Sequence, residues 1–387
     1  MATSLIGGSG TDVIVAGGGN DYINGGSGAD TLDGGSGFDT VLGGSGADTL
    51  IYRAWENQYK IDSQTTFSGY DVYDGGNGNA AKGTAEVDTL AIYLSNDQLA
   101  NTSFMAAFTA EIAQFRAFIG ANSNSNTGQA GQAEFTFTTI NLKVSAIEQV
   151  VVLDSNGHVP VSVNIVDSSL NDGDNNSVVM FTFIGPVTGF DSADVTTTNG
   201  TLTDFVKIDA SHYTAKFTAA DGFGGLGSVS VTAGGYTDAA GNAGATGSDT
   251  VAIDTLRPTA TIVVADAALQ AGETSLVTIT FSEAVSGFDN GDLSIANGTL
   301  SAVASGDGGV TWTAIFTPTA NIQDTTNLIT LANASVSDAA GNTNSGTTDS
   351  NNYAIDTLRP TATIVVADAA LQAGETSLVT ITFSEAV

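Results

Sequence analysis

The sequence predicts an almost all-β protein in two textures, with one helix between them. A solenoid of short strands comes first and a tandem array of antiparallel sandwiches follows. Three observations carry this prediction. Residues 7–51 divide without a gap into five nine-residue units, and residues 252–285 recur unchanged at 354–387. Between these repeats, apolar residues fall at spacings of three and four from Asp97 to Ile119.

The composition bounds the chemistry before any motif is read. The 387 residues suffice for two to four domains. With 41 acidic against 9 basic residues the formal charge is -32, which disfavours nucleic acid and anionic membrane surfaces and favours cations. Hydrophobic residues form 42% of the chain, enough to bury cores, so the acidity does not argue for disorder. Cysteine is absent, which removes disulfides, thiolate metal sites and cysteine nucleophiles together. No stretch approaches the ~20 apolar residues of a membrane span, and "MATSLIGGSG" has neither the basic nor the apolar region of a signal peptide.

The five units are GGSGTDVIV, AGGGNDYIN, GGSGADTLD, GGSGFDTVL and GGSGADTLI. They follow G-G-x-G-x-D-x-U-x, where U is aliphatic, except that Ala16 takes the first glycine place. The sixth place is Asp12, Asp21, Asp30, Asp39 and Asp48; the eighth is Ile14, Ile23, Leu32, Val41 and Leu50. Repeated glycines give a tight turn whose carbonyls can point inward, and the last three residues give a short strand with one buried side chain. Such a strand cannot bury its face alone, so the units must stack. Two units per coil would place same-side turns eighteen residues apart, superposing Asp12 on Asp30, Asp21 on Asp39, and Asp30 on Asp48. Stacked strands lie ~4.8 Å apart. Two carboxylates at that distance repel by about 3 kcal/mol at an effective dielectric near 20. A positive ion must therefore sit between them. Oxygen ligands without imidazole or thiolate suit a hard cation, and an adaptable loop favours calcium over magnesium.

These residues resemble the RTX (hemolysin-type calcium-binding) repeat family over 45 consecutive positions. The resemblance implies a parallel β-roll in which calcium lies between coils. Its ligands would be the five aspartates and carbonyls of the glycine turns, here Gly8, Gly10, Gly17, Gly19, Gly26, Gly28, Gly35, Gly37, Gly44 and Gly46. Three full sites are implied, between the aspartate pairs named above. Ser4, Leu5 and Ile6 fit the strand of a preceding unit, with Thr3 in the aspartate place, so the array is expected to begin upstream. A looser echo, "YDGGNGNAAKGTAEVDTLAIYL" at 73–94, adds Asp74 and Asp88 as candidate ligands, with an ordinary loop before a strand as the other reading.

Phe104, Phe108, Ile112, Phe115 and Ile119 describe one apolar helical face, which by default packs into a core. After a polar loop at 120–132, "EFTFTTINLKVSAIEQVVVL" (134–153) reads as two strands covering the end of the roll.

Beyond Val159 the texture becomes alternating β-branched runs. "AIDTLRPTATIVVADAALQAGETSLVTITFSEAV" occurs twice at a period of 102, and a weaker copy begins near Val161. Modules of about 100 residues with strands such as "LVTITF" and "TWTAIF" describe antiparallel sandwiches. They resemble bacterial Ig-like domains of large repetitive adhesins over residues 160–387. The expected domains are a roll at 1–52, a degenerate repeat with helix and capping strands at 53–155, and Ig-like modules at 156–254, 255–356 and, incomplete, 357–387. In related arrays calcium stiffens the junctions, which makes Asp238 and Asn242 before Asp254, and Asp338 and Asn342 before Asp356, candidate ligands. Plain turn formation is the alternative. Because Val387 falls inside a strand whose copy continues "SGFDNGDL", the sequence is expected to be part of a longer protein.

Signals for catalysis are poor, and no enzyme is expected here. His158 and His212 are the only histidines, and no H-E-x-x-H, nucleophile elbow or Walker motif occurs. "GFGGLG" (222–227) precedes the strand-like "SVSVTA", and acids such as Asp172 and Asp174 are common on so acidic a surface. Taken together, the resemblances imply a calcium-binding, extracellular structural or adhesive protein. They imply type I secretion from a Gram-negative bacterium and a host or biofilm surface as partner. The alternative is the non-catalytic part of a secreted RTX enzyme.

Overall fold

The computed structural model describes residues 1–59, 67–76 and 86–387. Asn77 and Gly78 of the "GGNG" echo lie outside the described residues. By compactness the chain forms two units. The first is Met1–Ser168 with Asn176–Thr218 and Leu226–Val251; the second is Ser169–Asn175 with Ala219–Gly225 and Ala252–Val387.

The first unit begins with two facing parallel sheets. One contains β1 (Ser4–Ser9), β3 (Tyr22–Ser27), β5 (Thr40–Ser45) and β7 (Asp71–Asp74); the other contains β2 (Val13–Val15), β4 (Thr31–Asp33), β6 (Thr49–Arg53) and β8 (Thr89–Leu94). The register is the eighteen-residue one. Leu5 pairs with Ile23 and Ile23 with Val41, while Ile14 pairs with Leu32 and Leu32 with Leu50. Their side chains stack into a shared core in which Ile23, Leu32, Val41 and Leu50 are fully buried. The three-residue strands expected from the sequence occur in only one sheet. In the other the strand runs on through the Gly-Gly-Ser of the next unit, because those glycines still pair, Gly8 with Gly26 and Gly26 with Gly44.

The apolar stripe divides into α1 (Asn96–Ala100) and α2 (Thr102–Asn122), where the sequence suggested one helix. Asn101 causes the break. Its extended backbone ends α1, and its side chain accepts from the Phe104 amide to start α2. Phe104, Phe108, Ile112 and Phe115 are buried as the periodicity requires, and Phe115 packs on Phe135 and Phe137 with ring centroids 5.0 Å apart.

Residues 134–153 form three strands, not two. β9 (Phe135–Phe137) is antiparallel, whereas β10 (Leu142–Ser145) and β11 (Gln149–Asp154) pair in parallel with β7 and β8. They form a further coil of the roll, with Val150 opposite Leu90 in the aliphatic column. Among the described residues no helix is long and apolar enough to cross a membrane.

The Ig-like modules alternate as their sequence implies. In the first, Val161–Ile165, Asn176–Phe183, His212–Ala219 and Gly200–Lys207 lie in that order across an antiparallel sheet, with Val179, Phe181 and Phe183 turned inward. In the second unit, Ala260–Val264, Ser275–Phe281 and Thr311–Pro318 repeat the arrangement around Val277, Ile279 and Phe316. Among the described residues two strand pairings depart from a purely antiparallel sandwich: Ser169–Asn171 runs parallel to the end of Gly247–Asp254, and Ala268–Gln270 runs parallel to Tyr353–Asp356.

Close approach between coils depends on particular glycines. Gly44 has φ +112°, and a Cβ there would collide with the Gly26 carbonyl oxygen, whereas Gly10, at φ +125°, has open space at that position. Gly10→Ala should therefore cost only backbone strain of about 1–3 kcal/mol, and Gly44→Ala about 1–3 kcal/mol more from overpacking. Thermal unfolding of the two variants in excess calcium checks the difference; equal losses would contradict the backbone packing described.

Candidate metal centre

Folding into this register turns the repeated aspartates into two columns. In the first, the amide of Asp12 donates to Asp30 Oδ1 (2.8 Å), Asp30 to Asp48 Oδ1 (2.8 Å), Asp48 to Asp88 Oδ1 (2.8 Å), and Asp88 to Glu148 Oε2 (2.8 Å). In the second, Thr3 donates to Asp21 Oδ1 (2.6 Å), Asp21 to Asp39 Oδ1 (2.7 Å), and Asp39 to Asp71 Oδ1 (2.8 Å). One oxygen of each carboxylate is thus fixed by backbone. The other is not. Oδ2 of Asp21, Asp30, Asp39, Asp48 and Asp71 is buried and has no hydrogen-bond partner, on side chains at most 3% exposed.

An ionised oxygen in that position is costly unless it is paired. Its surroundings supply acceptors instead. A Cβ built on Gly25 would lie 2.5 Å from Asp30 Oδ2 and 2.6 Å from the Gly43 carbonyl oxygen, and Gly7, Gly43 and Gly75 stand in the same relation to Asp12, Asp48 and Asp88. Carboxylate and carbonyl oxygens therefore face one side-chain-free cradle in each coil. The protein donors at these oxygens are the Gly44 amide, on the Gly75 carbonyl (3.1 Å), and the Gly8 amide, on Asp12 Oδ2; the Oδ2 atoms of Asp30 and Asp48 have none, so the donor set fits a hard cation. Among the described residues no three histidine or acidic side chains form a metal cluster by themselves, so carbonyls must complete the coordination. The expected turn glycines lie beside these cradles, and all but Gly8 have positive φ. Gly8 instead donates its amide to Asp12 Oδ2 (2.9 Å).

Burial raises the Asp39 and Asp48 carboxyls to about 6, Asp71 to about 7 and Asp88 to about 8. The accepted backbone amide opposes the shift in each case, and neighbouring carboxylates add to it.

Asp71 and Glu148 are column members that the sequence reading missed. "GYDVY" (69–73) holds G-x-D-x-U with Tyr73 in the aliphatic place, and "EQV" (148–150) holds the D-x-U pattern with glutamate for aspartate. Asp88 stands in the first column, whereas Asp74 only closes a local turn by accepting from Gly76 (2.9 Å).

The junction candidates have another character. Asp338 accepts from the Asn342 amide (2.8 Å) and from Asn342 Nδ2 (2.8 Å), Asn342 Nδ2 also reaches the Asp254 carbonyl (2.8 Å), and Asn342 Oδ1 accepts from the Asp172 amide (2.7 Å). Asn342 thus meets Asp254, not Asp356; the latter is bonded to Gln323 (3.2 Å). Asp238 and Asn242 repeat the internal pair at 2.9 Å. The carboxylates of Asp238 and Asp338 thus accept from protein donors, whereas Asp254 enters the junction through its backbone carbonyl. Glu283, which the sequence reading passed over, is raised by burial and then by Asp338 and Asp254.

The chain belongs to the bacterial Ig-like domain family, whose profile matches residues 157–253, 254–355 and 356–387. The RTX calcium-binding nonapeptide repeat (4 copies) matches 6–41 and 25–52. The roll is therefore built of repeats of a calcium-binding kind. No curated protein matches the chain. Among solved structures, the Yersinia pseudotuberculosis adhesin InvE is 18% identical at TM-score 0.24, covering 51% of this chain and 60% of its own. InvD of the same organism is 20% identical at TM-score 0.23, covering 55% and 64%. Invasin, a bacterial integrin-binding protein, is 16% identical at TM-score 0.26, covering 45% and 37%. This chain spans less than two thirds of each.

Carboxyls raised in the folded, metal-free roll stabilise it at low pH and lose that contribution as pH rises through their folded values. Stability of the metal-free roll should therefore fall between about pH 4 and about pH 8. Calcium takes the ionised form, so binding should release protons in the same window. Calorimetry at about pH 6.5 in two buffers of different ionisation enthalpy should give different apparent binding enthalpies; identical enthalpies would contradict the assignment.

Proposed function

We propose that this chain is part of an extracellular, calcium-dependent structural or adhesive protein, in which the roll is a calcium-folded module and the Ig-like modules form a stalk. The observation that carries the reading is the set of buried, unpartnered Oδ2 atoms in the two columns. At low intracellular calcium the columns repel themselves, which keeps the roll open during export by a type I route. At millimolar calcium outside, binding to the folded state alone favours it by RT ln(1 + [L]/Kd). The ligands are Asp12, Asp21, Asp30, Asp39 and Asp48 with carbonyls of the glycine turns. A host or biofilm surface is the partner of the assembled protein. The alternative role, the non-catalytic part of a secreted enzyme, would use the same folding step. Tandem Ig-like modules over more than half of the chain favour the stalk.

Hydrogen exchange on the full chain, in calcium and in chelator, tests this. Amides of β3 to β6 should gain at least about 100-fold protection at calcium 100 times Kd, while Ser275–Phe281 stays protected in both. Asp30→Ala should abolish most of the gain. Equal protection of the roll in chelator would make its folding independent of calcium and overturn the reading.

A further inference from the structure

The two columns end differently, and the difference assigns a site outside the nonapeptides. In the inner coils each turn amide is met by backbone: Gly10 donates to the Ser27 carbonyl, Gly19 to Ser36 and Gly28 to Ser45. At the last nonapeptide turn of each column a side chain from outside the repeats takes that place. Gly37 donates to Asn57 Oδ1 (3.0 Å), a neutral acceptor, whereas Gly46 donates to Glu86 Oε2 (3.0 Å), a carboxylate.

The cradles beside these turns differ in the same sense. A Cβ on Gly34, in the column of Asp39, would lie 2.8 Å from the Tyr73 hydroxyl. On Gly43, in the column of Asp48, it would meet the Gly75 carbonyl oxygen, which accepts from the Gly44 amide (3.1 Å) through one of its two lone pairs, and lie 2.5 Å from Asp48 Oδ2. Asp48 is 1% exposed, and this Oδ2 is one of the buried oxygens without a partner. Its Oδ1 is not free, since it accepts from the Asp30 amide, while the Asp48 amide itself donates to Asp88 Oδ1. Beyond Asp88 the column closes on protein donors: Glu148 Oε1 accepts from Gln129 Nε2 (2.8 Å) and the Ala130 amide (2.6 Å).

We infer that the first column holds a calcium site one coil beyond the repeats, formed by Asp48, Asp88 and the Gly75 carbonyl and charged further by Glu86, and that this is the tightest site of the roll. The inference rests on the calcium reading of the repeats. Calcium affinity rises with the number of charged oxygens and with site rigidity. This site combines a buried pair of carboxylates, a third carboxylate at the adjoining turn, and a coil packed under β10 and β11. The N-terminal rung has the opposite character. Asp12 is only half-buried, and its Oδ2 is already bonded to Gly8.

Calcium titration of the full chain by equilibrium dialysis and calorimetry, comparing Asp88→Asn, Glu86→Gln, Asp30→Asn and Asp289→Asn with the unaltered protein, tests the assignment. Asp88→Asn should remove one bound calcium and the tightest binding class. Glu86→Gln should keep the stoichiometry and weaken that class by roughly tenfold. Asp289→Asn, in an exposed turn of an Ig-like module, should leave every binding class unchanged. Far-ultraviolet circular dichroism in saturating calcium identifies a variant that fails to fold, and for such a variant terbium luminescence of Glu86→Gln alone decides. If Asp88→Asn and Glu86→Gln bind like the unaltered protein while Asp30→Asn loses calcium, the extra site is overturned and the repeat reading stands. If the unaltered chain binds no calcium in the roll, both fail together.

Discussion

The rungs of Asp21, Asp30, Asp39, Asp48 and Asp71 each commit one carboxylate oxygen to a backbone amide of the neighbouring coil and leave the other buried and unpartnered. This single constraint organises the first unit. The amide bond sets the spacing of the carboxylates, and the spacing creates a repulsion of about 3 kcal/mol per step that a bound cation, or protonation of the carboxylates, offsets. The aliphatic column of Ile23, Leu32, Val41 and Leu50 buries apolar area on stacking, but it cannot form without bringing the aspartates into line. Hydrophobic burial and electrostatic repulsion are therefore coupled through the same register. A cation relieves the second without weakening the first.

The Ig-like modules hold together by other means. Their cores are apolar side chains alternating along antiparallel strands, and at their junctions Asp338 and Asp238 accept from Asn342 and Asn242. The buried aspartate oxygens without a partner lie in the roll. This division matches the composition, since aspartates in the roll are buried in columns whereas Asp289, Asp307 and similar residues of the modules lie in exposed turns.

Much of this was legible in the sequence for physical reasons. A nine-residue period with two units per coil leaves one stacking register, so Asp12 over Asp30 and Asp30 over Asp48 follow from counting. The 102-residue repeat likewise announces a module. What the sequence hid is context. Asp71 sits in a coil where tyrosine replaces the aliphatic, and Glu148 in one where glutamate replaces aspartate, so neither matches the motif. α1 and α2 share one apolar stripe, and only the cap at Asn101 separates them.

The central claim is that cations occupy the columns between successive carboxylates. Anomalous diffraction from crystals of the protein grown in calcium, with terbium exchanged for contrast, locates them directly. The account predicts peaks in line along the Asp12, Asp30, Asp48 and Asp88 column, each between carboxylates of neighbouring coils and against turn carbonyls. A fully formed roll without such peaks, its Oδ2 atoms bonded to water or protonated against one another, would contradict it.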